Sequence, residues 1–162
     1  MVLPECFDKD GEPCPQVRFQ KGIVLNRCRV VIIDDDPTIR IGLRSILESF
    51  GIEIAAEADN GRSGIEQTQR FSPDVILLDV SMPEMGGFAA ARELHVLAPN
   101  LRIIFVTQYS DAAYVEKAFE VGASGYVLKG TAARELAEAM DVVLAGGTFV
   151  SPGARCLRGK AY

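Results

Sequence analysis

The chain has 162 residues, of which 48% are hydrophobic and 24% charged, with a net charge of −5. That length fits one domain with a full core, and the acidic balance argues against a nucleic-acid-binding surface, which calls for clustered Lys and Arg. No apolar stretch approaches the length of a membrane span, and Pro4, Glu5, Asp8, Asp10 and Glu12 stand where a signal peptide would be apolar, so a cytoplasmic location is expected. Residues 1–27 read as an irregular extension, punctuated by Pro4, Gly11, Pro13 and Pro15 without apolar periodicity. Cys6, Cys14, Cys28 and Cys156 form no CxxC pair and match no common zinc spacing, so free thiols are expected.

From Arg29 onward, short apolar runs alternate with helical patterns. The runs are Arg29–Asp34, Glu53–Ala58, Val75–Asp79, Arg102–Thr107 and Gly125–Leu128. Their continuous apolar character predicts strands buried on both faces, as in parallel sheets. Between and after them the helical stretches are 37–50, 61–70, 87–97, 111–121 and 131–145. In the first, Ile39, Leu43, Ile46, Leu47 and Phe50 fall at helical spacing. Asp36 before Pro37 predicts an N-cap and first-turn proline, and Gly51 predicts the stop. Gly61-Arg62-Ser63-Gly64 lacks the context of a phosphate-binding fingerprint and reads as a helix entry. Five βα repeats in strict alternation imply an α/β fold, a parallel sheet with helices on both faces.

In open sheets of this kind the binding site lies at the carboxyl ends of the strands. That rule gathers Asp34, Asp35, Asp79, Thr107 and Lys129 along one edge. Acid, acid, hydroxyl and amine, each ending a strand, describe a Mg²⁺-dependent site for phosphorylating an aspartate. Asp36 reads as a helix cap, and His95, the only histidine, as a surface residue of the third helix.

Four stretches together carry a resemblance: Val31-Ile32-Ile33-Asp34-Asp35-Asp36-Pro37, Leu77-Leu78-Asp79-Val80-Ser81-Met82-Pro83, Phe105-Val106-Thr107 and Gly125-Tyr126-Val127-Leu128-Lys129. Their order and spacing resemble a response-regulator receiver domain of two-component signalling, and the detail is closest to NarL/FixJ-type receivers. The resemblance implies a flavodoxin-like, doubly wound five-stranded sheet in the order 2-1-3-4-5 with five helices, over residues 28–147. Residues 148–162 read as a tail or truncated linker. Many receivers place proline after the lysine, often with a cis bond. Gly130 stands there instead, so no cis-proline is expected.

The resemblance also implies a role for each residue. Asp79 would accept a phosphoryl group from the phosphohistidine of a histidine kinase or phosphotransfer protein. Asp34, Asp35, Asp79 and the Ser81 backbone carbonyl would hold Mg²⁺, Lys129 would offset charge on a phosphoryl oxygen, and Thr107 would bond another. Ser81 and Tyr109 would tune the lifetime of the acyl phosphate, with a bulky Tyr109 hindering water. Thr107 and Tyr126 would form the switch, Tyr126 turning inward as the Thr107 hydroxyl moves toward the phosphate. The output face would be the fourth helix, fifth strand and fifth helix, which could also form a homodimer. Such a protein catalyses only its own phosphorylation and dephosphorylation.

Two other readings compete. Asp34-Asp35-Asp36-Pro37-Thr38 matches the DxDxT pattern of haloacid-dehalogenase-like phosphatases, with Asp34 as nucleophile and Asp36 as general acid. It leaves Asp79 and Thr107 as coincidences. The stretch Gly146-Gly147-Thr148-Phe149-Val150-Ser151-Pro152 resembles the start of a linker to a DNA-binding domain, which would make the chain a truncated NarL/FixJ-type transcription regulator. No DNA-binding domain is expected within these residues, and a stand-alone or shortened receiver acting through protein contacts is the favoured reading.

Overall fold

The computed structural model describes residues 28–155. The expected N-terminal extension, the last residues of the tail, and Cys6, Cys14 and Cys156 lie outside them.

The described residues alternate β1 (Arg29–Ile33), α1 (Pro37–Ser49), β2 (Glu53–Ala58), α2 (Gly61–Phe71), β3 (Val75–Leu78), α3 (Gly87–Leu97), β4 (Arg102–Thr107), α4 (Ala112–Glu120), β5 (Gly125–Leu128) and α5 (Ala132–Leu144). A 3₁₀ turn over Lys129–Thr131 joins β5 to α5, and β6 (Phe149–Val150) and α6 (Pro152–Arg155) follow. All strands pair in parallel, in the order β2-β1-β3-β4-β5-β6. The first five strands thus take the expected order. No peptide bond among the described residues is cis.

The period of two along each strand divides the core into two layers. Val31, Ile33, Ile76, Leu78, Ile103, Phe105 and Tyr126 face α2, α3 and α4. Val30, Ile32, Val75, Leu77, Ile104, Val106 and Val127 face α1 and α5. Each buried Ile or Leu contributes about 1.5–3 kcal/mol. Because β3 is buried on both faces throughout, its end is a rigid platform.

Among the described residues a sixth strand and a sixth helix follow the five expected of each. The reason lies at the edge of β5. Gly146, at φ +89°, ends α5 and turns the chain back. Phe149 and Val150 then pair with Gly125 and Tyr126 and bury their side chains. An open strand edge and two apolar residues satisfy one another. Val150 and Ala154 join the layer that holds Tyr126, Val115 and Ala118, and α6 packs against α4. The edge of β5, expected to be part of an open output face, is covered in part by the chain's own segment.

Cys28 is free and buried just before β1. Burial, then repulsion from Asp74, pushes its thiol up to about 11. Folded protein should therefore alkylate at Cys28 about a hundredfold more slowly at neutral pH than urea-unfolded protein, since the thiolate is the reactive form. Mass mapping of iodoacetamide-treated protein reads this directly, and equal rates would contradict it.

Candidate functional site

The β1 ladder continues one residue beyond the strand, where the Asp34 N–H donates to the Ala58 carbonyl at 3.1 Å. Asp34 is buried, and its Oδ1 accepts the Asp36 N–H at 2.9 Å. Asp36 turns outward, and its carboxylate caps α1 by accepting the Thr38 N–H at 2.8 Å. That cap separates Asp36 from the acids that converge. Arg40, one turn into α1, donates from Nη1 to the Asp34 carbonyl at 2.6 Å. Glu57 on β2 meets the Arg40 guanidinium at 3.5 Å and that of Arg44 at 2.6 Å. The loop bearing Asp34 and Asp35 is thereby tied to β2.

Asp79 follows β3 directly, its N–H donating to the Ile33 carbonyl at 2.9 Å. Its Oδ1 accepts the Val80 N–H at 2.8 Å. The Lys129 ammonium, carried at the end of β5, stands 3.2 Å from Asp79 Oδ2 and 2.8 Å from Asp34 Oδ2. Carboxylate oxygens of Asp34, the exposed Asp35 and Asp79 lie within 4.8 Å of one another. Three acids therefore converge, and two of them share one lysine. Burial, then repulsion from Asp34, pushes the Asp79 carboxyl above its usual range, with Lys129 opposing both. Burial works to lower Lys129, but the contacts with Asp34 and Asp79 outweigh it, and the ammonium stands above its ordinary value.

Gly87 opens α3 and closes the site from below. A Cβ there would lie 1.9 Å from the Asp79 carbonyl oxygen. The Gly87 N–H donates to the Val80 carbonyl at 2.8 Å, which holds the two segments at that approach. Ser81 stands exposed on the intervening loop.

Thr107 is fully buried at the end of β4, and its Oγ1 accepts the Tyr109 N–H at 3.4 Å. Tyr126 takes the inward position: it is fully buried and its hydroxyl donates to the Tyr109 carbonyl at 2.7 Å. Burial is the main cause that holds its phenol well above the ordinary range. Tyr109 thus links Thr107 to Tyr126. Its ring stacks on Tyr114 of α4, with centroids 4.4 Å apart and planes 4° from parallel, so the ring is held toward α4.

The structure thus brings Asp34, Asp35, Asp79 and Lys129 together, connects Thr107 with Tyr126, and leaves Asp36 outside. Gly87 and Arg40 are contributors that sequence reasoning missed. The Gly86-Gly87 pair at a helix start was the available signal for the first. For Arg40 there was none, because its partner is a backbone carbonyl.

The fold and this strand-end constellation define a class. Residues 30–141 match the response regulator receiver domain family, and the chain belongs to that family, a signalling component of two-component systems. It is 36% identical over 128 residues to the transcriptional regulatory protein DegU of Brevibacillus brevis, covering 78% of this chain and 54% of that protein. It is 35% identical over 115 residues to the chemotaxis protein CheY of Thermotoga maritima, covering 71% and 96%. A LuxR-family two-component response regulator from Aurantimonas superposes with a TM-score of 0.75 at 34% identity, covering 78% of this chain and 91% of that one. The chain spans about half the length of the curated transcriptional regulator it matches. Among the described residues no helix is long and apolar enough to cross a membrane.

Proposed function

We propose that this receiver accepts a phosphoryl group on Asp79 from a histidine kinase or phosphotransfer protein and passes the change to α4, α5 and the segment beyond. The observation that carries the reading is the single ammonium of Lys129 set between two buried carboxylates, with a third acid beside them.

Asp79 Oδ1 is held by the Val80 N–H, which leaves Oδ2, on the Lys129 side, to attack phosphorus. The bond from oxygen to phosphorus forms as the bond from phosphorus to the donor's imidazole nitrogen breaks. Lys129 then turns from the carboxylates toward a phosphoryl oxygen, and the Thr107 hydroxyl donates to another. Such transfer is mostly positioning and charge neutralisation. The donor set is all oxygen and carries more negative charge than Lys129 offsets, which suits a hard divalent ion. Asp34, Asp35 and Asp79, with the Ser81 carbonyl, would hold Mg²⁺, which when bound offsets the carboxylate repulsion and the incoming charge. The Thr107 hydroxyl can donate to phosphate while still accepting the Tyr109 N–H, so phosphorylation favours the inward Tyr126 arrangement. That is a population shift between two states.

The test is intact-protein mass after incubation with acetyl phosphate and Mg²⁺. Wild type is expected to gain one phosphoryl group, Asp79→Asn none, and a chelator to block the gain. An adduct that persists in Asp79→Asn would move the acceptor elsewhere. Turnover of a phosphate monoester lost in Asp34→Asn alone would favour the phosphatase reading.

A further inference from the structure

The turn that carries Lys129 is a single 3₁₀ turn, closed by the Ala132 N–H on the Lys129 carbonyl and by the Thr131 hydroxyl on the Leu128 carbonyl at 3.3 Å. Gly130 follows Lys129, is exposed, and a Cβ there would meet nothing within 4 Å. Glycine is the least restrained residue, so these local bonds leave part of the turn's definition to its surroundings. Part of those surroundings belongs to the segment beyond α5. The Ser151 N–H donates to the Tyr126 carbonyl at 2.8 Å, extending the β6 ladder by one bond. The chain then turns into α6 at Pro152. At that point the Ser151 hydroxyl replaces the backbone as partner and accepts the Leu128 N–H at 2.9 Å. The same hydroxyl donates to Glu135 Oε2 on α5. The Thr131 hydroxyl donates to that oxygen too, at 2.8 Å.

Leu128 and Thr131 flank Lys129-Gly130. One is tied to Glu135 through Ser151, and the other is tied to it directly. Ser151 is fully buried, while Thr131 and Glu135 are half-buried. A buried hydroxyl used as both donor and acceptor, ending on a carboxylate, is a directional device.

We propose that Ser151 and Glu135 are positioning residues for Lys129, which makes the segment beyond α5 part of the phosphoryl-transfer unit. The role of Lys129 itself rests on the function proposed above. The acids meet this network only through the Lys129 ammonium, a cation that competes with a metal for their oxygens, so its loss should lower the rate of transfer without weakening the binding of Mg²⁺.

The experiment uses the full chain with Ser151→Ala, Glu135→Ala and Glu135→Gln. Two readouts are taken: the rate of Asp79 labelling by acetyl phosphate across a Mg²⁺ titration, and the rate of reductive methylation of the Lys129 amine by peptide mass. Circular dichroism melts identify any variant that fails to fold, and the other alanine variant then decides. Ser151→Ala and Glu135→Ala are expected to label about tenfold to a hundredfold more slowly, at a half-saturating Mg²⁺ concentration no higher than that of wild type. Their Lys129 should methylate severalfold faster. Glu135→Gln keeps an oxygen that accepts both hydroxyls and should restore both rates. Alanine variants that label and methylate like wild type would overturn the proposal. So would a slow rate that excess Mg²⁺ fully restores. If wild type takes no label, the phosphoacceptor reading fails, and methylation alone decides the positioning role.

Discussion

A Lys129→Met variant is expected to lose phosphoryl transfer by about 10²–10³-fold and to be destabilised by about 3–5 kcal/mol near neutral pH without divalent cation. The second effect arises because Asp34 and Asp79 are 1% and 5% exposed. Without the ammonium at 2.8 and 3.2 Å they are left as uncompensated buried charges. The folded Asp79 carboxyl already stands above its ordinary value through burial and through Asp34, and losing Lys129 raises it further. A group raised on folding contributes stability that is intact below its unfolded pKa and lost as pH rises through the folded one. The deficit of the variant should therefore be small at about pH 4, grow toward about pH 7, and, if the proposed metal site holds, shrink again on adding Mg²⁺, which would bind only the folded protein. Urea midpoints across pH, with and without Mg²⁺, read all three. A deficit independent of pH would show that Lys129 acts through packing alone.

Gly87→Ala is expected to destabilise the fold by about 3 kcal/mol or more, a fall in Tm of about 10 °C. The clash is with backbone: the new Cβ would lie 1.9 Å from the Asp79 carbonyl oxygen and 3.1 Å from the Val80 Cα. No rotamer change relieves it, so β3 and α3 must part and Asp79 must shift. Labelling of Asp79 should fall along with stability. Gly42→Ala is the control, because a Cβ at that exposed position in α1 meets nothing within 4 Å. It should stabilise by up to about 1 kcal/mol through helix propensity. Thermal melts of the two variants compare them directly, and equal melting temperatures would contradict the steric account.

The parts legible in the sequence were those set by local pattern. Val75-Ile76-Leu77-Leu78 is apolar because both of its faces are buried, and a carboxylate that ends such a run stands out. Asp79, Asp34 and Lys129 were found in this way, and α3 was read to the residue because Gly87 and Leu97 bound a clear helical pattern. The parts that stayed hidden depend on distant partners. Phe149-Val150 is too short to show a period, and its burial exists only because β5 offers an edge. Ser151 looked like part of a linker because its acceptors and donors lie on β5 and α5. The inward placement of Tyr126 rests on the Tyr109 carbonyl, which no side-chain pattern records.

The four strands whose ends carry the acids, the hydroxyl and the amine form the middle of the sheet, hydrogen-bonded on both sides. Their amides open to solvent only when most of the molecule unfolds. Exposed residues further along the loops, such as Ser81 and Glu84, have less burial to protect them. Change of sequence in those loops can therefore alter which partner docks while the reacting atoms keep their spacing. Recognition and chemistry are anchored to different layers of stability, so one can diversify without eroding the other.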